Sequence, residues 1–156
     1  MVQLQISYTN NFMKLLNQEW EIIMKKLIRK YRNKDLYSLN CSESIVYAAN
    51  EFYNLSLNDN ALKMMTGFGG GVCEKELCGV ISGSVSVLGM VLKGKSNEEG
   101  SVVKQSVIDF KNEFKNMYNK LDCEYLVDNF KDDVFGCDKI IFDSVDLLQK
   151  VISKYM

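Results

Sequence analysis

Histidine and proline are both missing from this chain of 156 residues. Without histidine there is no Ser-His-Asp or Cys-His nucleophile and no imidazole to act as general base. Mixed Cys/His zinc sites, His-ligated haem and the C-x-x-C-H haem attachment sequence are excluded with it. Average usage would supply roughly eight prolines, and their absence suits long helices, whose interiors reject the residue. An excess of one charge sign is lacking too: 19 Lys and Arg stand against 20 Asp and Glu, a net charge of −1. Dedicated nucleic-acid binders carry a strong basic excess, so no nucleic-acid partner is expected.

Long apolar runs are also scarce. The longest, Val80 to Leu92, has thirteen residues including three serines and two glycines, short of the roughly 20 needed to cross a bilayer. Met1 to Ile6 is neither basic nor followed by a long apolar stretch, so no secretory signal is read. The expectation is a soluble cytoplasmic protein without a membrane span. In a reducing cytoplasm cysteines are more often free, metal-bound or redox-active than bridged. An odd count of five suits a disulfide framework poorly.

What is present is enough apolar material for one core. Hydrophobic residues make up 47% and charged residues 25%, which excludes disorder and fits one domain. Phe12, Leu16, Trp20, Ile23, Leu27 and Tyr31 recur at the spacing of one helical face. Val103, Val107, Phe110, Phe114, Met117 and Leu121 form a second series, with Ser96 and Glu99 before it as a capping box. Ile141, Val145, Leu148, Ile152 and Tyr155 form a third. Shorter helices are expected around Ile45, Ala49 and Phe52, and from Asp59 to Met65 behind an Asn58 cap. Val80 to Leu92 reads as helix because no partner strand is evident. The fold class is therefore all-α, a single-domain bundle of about five to seven helices with a glycine-rich inter-helix loop. Residues 1–23 read as an N-terminal helical extension and 24–156 as the cysteine-containing domain, since Met24 opens a basic segment.

Three features weigh against bland alternatives. Gly67-Phe68-Gly69-Gly70-Gly71 lacks the lysine of a phosphate loop and a glycine at Val72 for a dinucleotide fingerprint. It reads first as a tight turn using positive φ angles, or as bare backbone that something approaches. The basic run Lys25, Lys26, Arg29, Lys30, Arg32 and Lys34 reads as a solvated face, with Asp122, Glu124, Asp128, Asp132 and Asp133 available to balance it. Gly79 and Gly83, with Ser82 and Ser86, repeat at i, i+4. Such a face admits a close neighbour: a helix, a second copy in a homodimer, or an inorganic group.

The cysteines are Cys41, Cys73, Cys78, Cys123 and Cys137. No C-x-x-C pair occurs, and scattered small core residues would account for such spacing. Placement says more. Cys41, Cys78, Cys123 and Cys137 each fall at an expected helix start, where free N–H groups and the macrodipole favour thiolate. Each such terminus carries about half a positive charge, so four converging ends supply roughly +2.

At these residues the chain resembles the C-GCAxxG-C-C family, described as redox-active. Asn40-Cys41-Ser42-Glu43-Ser44 is similar to the family's Asn-Cys-Ala-x-x segment. Thr66 to Gly71 is similar to its Gly-Phe-Gly-Gly-Gly loop, and Cys78-Gly79-Val80-Ile81-Ser82-Gly83 resembles its signature, with Val80 for the usual alanine. Cys123 and Cys137 stand where its two C-terminal cysteines stand, and Cys73 is extra. The resemblance, spanning about Met24 to the C-terminus, implies a redox role. A related domain of split-Soret cytochromes is associated with an iron–sulfur site, making Cys41, Cys78, Cys123 and Cys137 candidate metal ligands.

The leading expectation is thus electron transfer or redox sensing through an iron–sulfur cluster, a 2Fe–2S unit, on those four thiolates. Backbone amides of Gly69, Gly70, Gly71 and Gly79, with the room left by Gly83, would adjoin it. Metal-free thiol–disulfide chemistry, with Cys137 resolving Cys123, is the alternative. A structural four-cysteine zinc site and a helical dimerisation module follow. A redox partner protein is expected. No Asp or Glu is assigned to catalysis.

Overall fold

In the computed structural model, residues 18–94 and 100–156 are described. Helix α1 covers residues 18–32 and so runs across the boundary between 23 and 24. It is followed by α2 (Cys41–Phe52), α3 (Asp59–Lys63), α4 (Gly79–Leu92), α5 (Ser101–Tyr118), α6 (Cys123–Phe130) and α7 (Asp138–Tyr155). A 3₁₀ turn at Thr66–Phe68 and a π-type turn at Gly71–Lys75 lie between α3 and α4. Among the described residues there is no β-strand, only the isolated bridges Leu77–Asp122 and Asp132–Gly136. The chain is an all-α single-domain bundle.

Helix α4 is the centre, packed against α2, α5 and α7. That explains its near-continuous apolar sequence: Val80, Ile81, Val87, Leu88, Val91 and Leu92 are buried on several sides rather than on one stripe. Around it, α7 supplies the expected face of Ile141, Val145, Leu148 and Ile152. From α5 come Phe110 and Phe114, and the inward position falls next to Tyr118, while Met117 is exposed. Tyr118 can be buried because its hydroxyl donates to Asp143 Oδ2 at 2.6 Å. Asn119, at φ +66°, ends α5, so Leu121 lies beyond the helix.

Helix α1 is turned from its expected face. Trp20 and Ile23 are 37% and 49% exposed, while Met24 and Ile28 are 1% and 0% exposed. Two overlapping stripes share Leu27 and Tyr31, and the bundle takes the i, i+3, i+4, i+7 set that begins at Met24. Phe12 and Leu16, and the Ser96/Glu99 capping box, lie outside the described residues. A capping box does occur at α2. Asn40 Oδ1 accepts the Glu43 N–H at 3.0 Å, and Glu43 Oε2 accepts the Asn40 N–H at 2.9 Å. The Asn58 cap holds α3 as expected, accepting from the Ala61 N–H at 3.0 Å.

The basic run is balanced from other places than the acidic segment. Lys25 pairs with Glu21 and Asp146, Lys30 with Glu51, and Arg32 with Asp138. These carboxylates sit on α1 itself, α2 and α7, so proximity rather than local charge density decides the pairing.

Candidate redox site

Each of the four cysteines begins a helix. Cys41 and Cys123 are the first residues of α2 and α6, and Cys78 and Cys137 are the N-caps of α4 and α7. Three local devices draw these ends together. The first is the glycine pair of α4. A Cβ on Gly79 would lie 2.8 Å from Phe68 O and 3.5 Å from Cys41 Cβ; one on Gly83 would lie 2.9 Å from Ser42 O. Both positions face backbone, which cannot give way, so only glycine lets α4 reach the first turn of α2. The small-residue face is therefore used inside the chain.

The second device joins α4 to α6. Cys78 N–H donates to Leu121 O at 2.9 Å, and Cys123 N–H donates to Glu76 O at 2.5 Å, around the Leu77–Asp122 bridge. The preceding loop follows a left-handed course, with Gly70, Gly71, Val72 and Cys73 at φ +58°, +67°, +54° and +66°. Glycine adopts this region freely; a β-branched valine does so at a cost of about 1–2 kcal/mol. The course brings Gly71 against Cys123: a Cβ at Gly71 would stand 2.6 Å from Cys123 Cβ.

The third device is Arg32, at the end of α1, which the sequence presents only as one member of a basic run. Its Nε donates to Asp138 Oδ1 at 2.8 Å and its Nη1 to Leu39 O at 3.2 Å. It thereby ties the residue after Cys137 to the segment entering Cys41. Its side chain is mostly buried, which strengthens the charge-assisted bonds.

The result is that Cys41 and Cys137 act on each other and shift in opposite directions. Cys137 is brought down to about 6, first by the neighbouring Cys41 thiol, with Arg32 and Lys131 adding to the effect against burial. Cys41 is raised far above the ordinary thiol range, first by Cys137 and then by burial.

Cys78 and Cys123 are drawn into the same neighbourhood, and their charges interact with the others: Cys78 with Cys41, Cys123 and Cys137, and Cys123 with Cys137. Burial pushes Cys78 up to about 12, against a smaller opposing effect of the Val80 and Ile81 backbone at the start of α4. Burial also raises Cys123. The expectation that helix starts would favour thiolate at all four is corrected here. Only Cys137 is lowered; at the other three, desolvation and like charge outweigh the helix ends. Cys73 stands apart, exposed on the left-handed loop with its thiol 3.8 Å from Gly67 O.

The donor chemistry of four thiols suits a soft metal or an iron–sulfur unit. Among the described residues, however, no group of three or more His, Cys, Asp or Glu is placed to hold a metal ion. A single four-coordinate ion such as zinc therefore finds no gathered donor set. Among the described residues no helix is long and apolar enough to cross a membrane.

Comparison with known proteins gives one match. A family model described as "Putative redox-active protein (C_GCAxxG_C_C)" covers residues 39–151, which include all five cysteines. No curated protein matches the chain, and no solved structure does.

Proposed function

From the premise that the chain belongs to the C_GCAxxG_C_C family of redox-active proteins, we propose that its working element is the Cys41–Cys137 dithiol. The observation that carries this reading is Arg32, whose bonds to Asp138 and Leu39 tie the helix start at Cys137 to the segment entering Cys41, with Cys137 brought down to about 6 beside it. A thiolate ionised at neutral pH is the attacking species in thiol–disulfide exchange. Cys137 Sγ attacks one sulfur of a partner disulfide, a mixed disulfide forms, and the first partner thiolate leaves. The anion that held the Cys41 proton is then gone, and the nearby Arg32 charge favours ionisation of Cys41. Cys41 passes its proton to the departing thiolate and attacks Cys137 Sγ, expelling the second partner sulfur as thiolate. The protein ends as a Cys41–Cys137 disulfide; the partner has gained two electrons and one proton. The partner is therefore a disulfide-bearing redox protein or small disulfide.

Two variants test this order. Cys41→Ser keeps the attacking sulfur and removes the resolving one, so it should accumulate a mixed disulfide at Cys137 when mixed with an aromatic disulfide reagent. Cys137→Ser should lose the fast phase of reaction. A Cys137→Ser protein that reacts as fast as the unaltered one would refute the assignment.

An iron–sulfur cluster for electron transfer, held by Cys41, Cys78, Cys123 and Cys137, is a second reading. It is favoured by the place of all four cysteines at helix starts, with their charges acting on one another. Such a unit would supply one-electron chemistry, and its positive irons would ionise the thiols that burial now holds neutral. Anaerobically prepared protein would then be coloured and contain stoichiometric iron and acid-labile sulfide; colourless, iron-free protein from the same preparation would exclude it.

A further inference from the structure

A cleft of about 680 Å³ opens between the end of α1, the Asp132–Gly136 hairpin and the first turns of α7. That is within the size range of small-molecule sites. Its apolar lining is aromatic: Phe130, Phe135 and Phe142. Phe135 is 69% exposed at the hairpin tip, although burying an aromatic ring is worth a few kcal/mol. The hairpin holds it there. Asp132 and Gly136 exchange both backbone hydrogen bonds at 2.9 Å, and Asp132 Oδ1 accepts the Val134 and Phe135 N–H groups at 2.8 and 2.7 Å.

Four cations and two carboxylates line the cleft: Arg29, Arg32, Lys131 and Lys139 against Asp132 and Asp138. Arg32 and Asp138 satisfy each other. Asp132 is engaged by the hairpin amides, and Lys139 pairs with Asp143. Arg29 and Lys131 have no carboxylate partner among the described residues. Arg29 instead lies over the Phe142 ring at 5.2 Å, a stack that a further flat group can extend. Two unpaired cations flank an aromatic wall.

We propose that this cleft binds a small anion carrying a flat aromatic ring system, of the mononucleotide class, with the ring on Phe135 and Phe142 and the charged group on Arg29 and Lys131. Arg29, Arg32 and Asn33, three of the eleven residues lining the cleft, precede residue 39, where the family match begins. The proposal is independent of both readings of the cysteines.

Flavin mononucleotide serves as probe, with riboflavin as the same ring without phosphate, read by amide chemical-shift titration. Flavin mononucleotide should give saturable shifts at Lys131, Phe135 and Phe142, and riboflavin should bind at least about tenfold more weakly. The exposed double variant Arg29→Glu/Lys131→Glu should lose at least about tenfold in affinity while keeping its helical circular dichroism; Phe135→Ala should also weaken binding. The proposal is overturned if neither flavin mononucleotide, AMP nor naphthalene-2-sulfonate gives saturable shifts at these residues up to about 1 mM. It is overturned equally if the charge-reversed variant binds as tightly as the unaltered protein, or if phosphate makes no difference.

Discussion

Glycines of α4 give the sharpest test of how the cysteines are gathered, because one helix carries both a crowded and an uncrowded example. At Gly83 a Cβ would lie 2.9 Å from Ser42 O, 3.2 Å from Ser42 Cα and 3.3 Å from Ile45 Cβ. At Gly89 a Cβ would meet nothing within 4 Å. Replacing either by alanine gains up to about 1 kcal/mol of helix propensity, so that gain cancels when the two variants are compared. What remains is the steric cost at Gly83, about 1–3 kcal/mol for forcing atoms into a packed contact that backbone cannot relieve. Gly83→Ala should therefore lose about 1–2 kcal/mol net, and Gly89→Ala should gain up to about 1 kcal/mol. For a chain of this length each kcal/mol moves the thermal midpoint by about 2–4 °C. Urea unfolding at fixed pH, with thermal scans as a second reading, would resolve the difference. If both variants shift in the same direction by similar amounts, close approach of α4 to α2 is not what Gly83 provides, and the account of how Cys78 meets Cys41 fails with it.

Loss of the α2 cap in Asn40→Ala should cost about 2 kcal/mol in urea unfolding, from the capping bond and from the Asn40 Nδ2 bond to Thr66 O at 2.9 Å. Alkylation of Cys137 in the native protein should follow one ionisation with a midpoint near 6, and Cys41→Ala should move it up toward the ordinary thiol value of 9.0. The folded value lies below the ordinary one, so the stability this ionisation contributes is fully present above about pH 9 and fades as pH falls through about 6. Stability of the unaltered protein relative to Cys137→Ala should accordingly rise between those limits. Arg32→Gln, which removes the ion pair to Asp138, should raise the Cys137 midpoint and destabilise by about 2 kcal/mol.

The sequence is informative where periodicity and burial agree. The α7 stripe from Ile141 to Ile152 is buried as its spacing implies, and α4 is a helix despite its β-branched residues because three neighbours cover it. Periodicity loses precision where two apolar stripes share members, as at Trp20 against Met24, or where adjacent residues compete for the core, as at Met117 against Tyr118. Tyr118 wins through a hydrogen bond to Asp143, a residue 25 positions away that no local pattern reveals. The helix starts at the four cysteines were legible from placement. The tie across the site was not: Cys137 was expected to serve Cys123 in the metal-free alternative, while Arg32 ties the segment before Cys41 to the residue after Cys137, a contact no local pattern reveals. Thiolate character could not be read from helix position either, since burial decides it at Cys78 and Cys123, and the Cys137 neighbour ahead of burial at Cys41.

The dithiol claim is tested most directly by peptide-mapping mass spectrometry of protein poised across a series of redox potentials, with free thiols alkylated at each step. The account predicts that Cys41 and Cys137 lose alkylation together, joined in one disulfide, along a two-electron curve of about 30 mV per tenfold change. Cys73 should stay alkylated throughout. Independent oxidation of the two residues, or a disulfide that joins Cys137 to another cysteine in preference to Cys41, would contradict it.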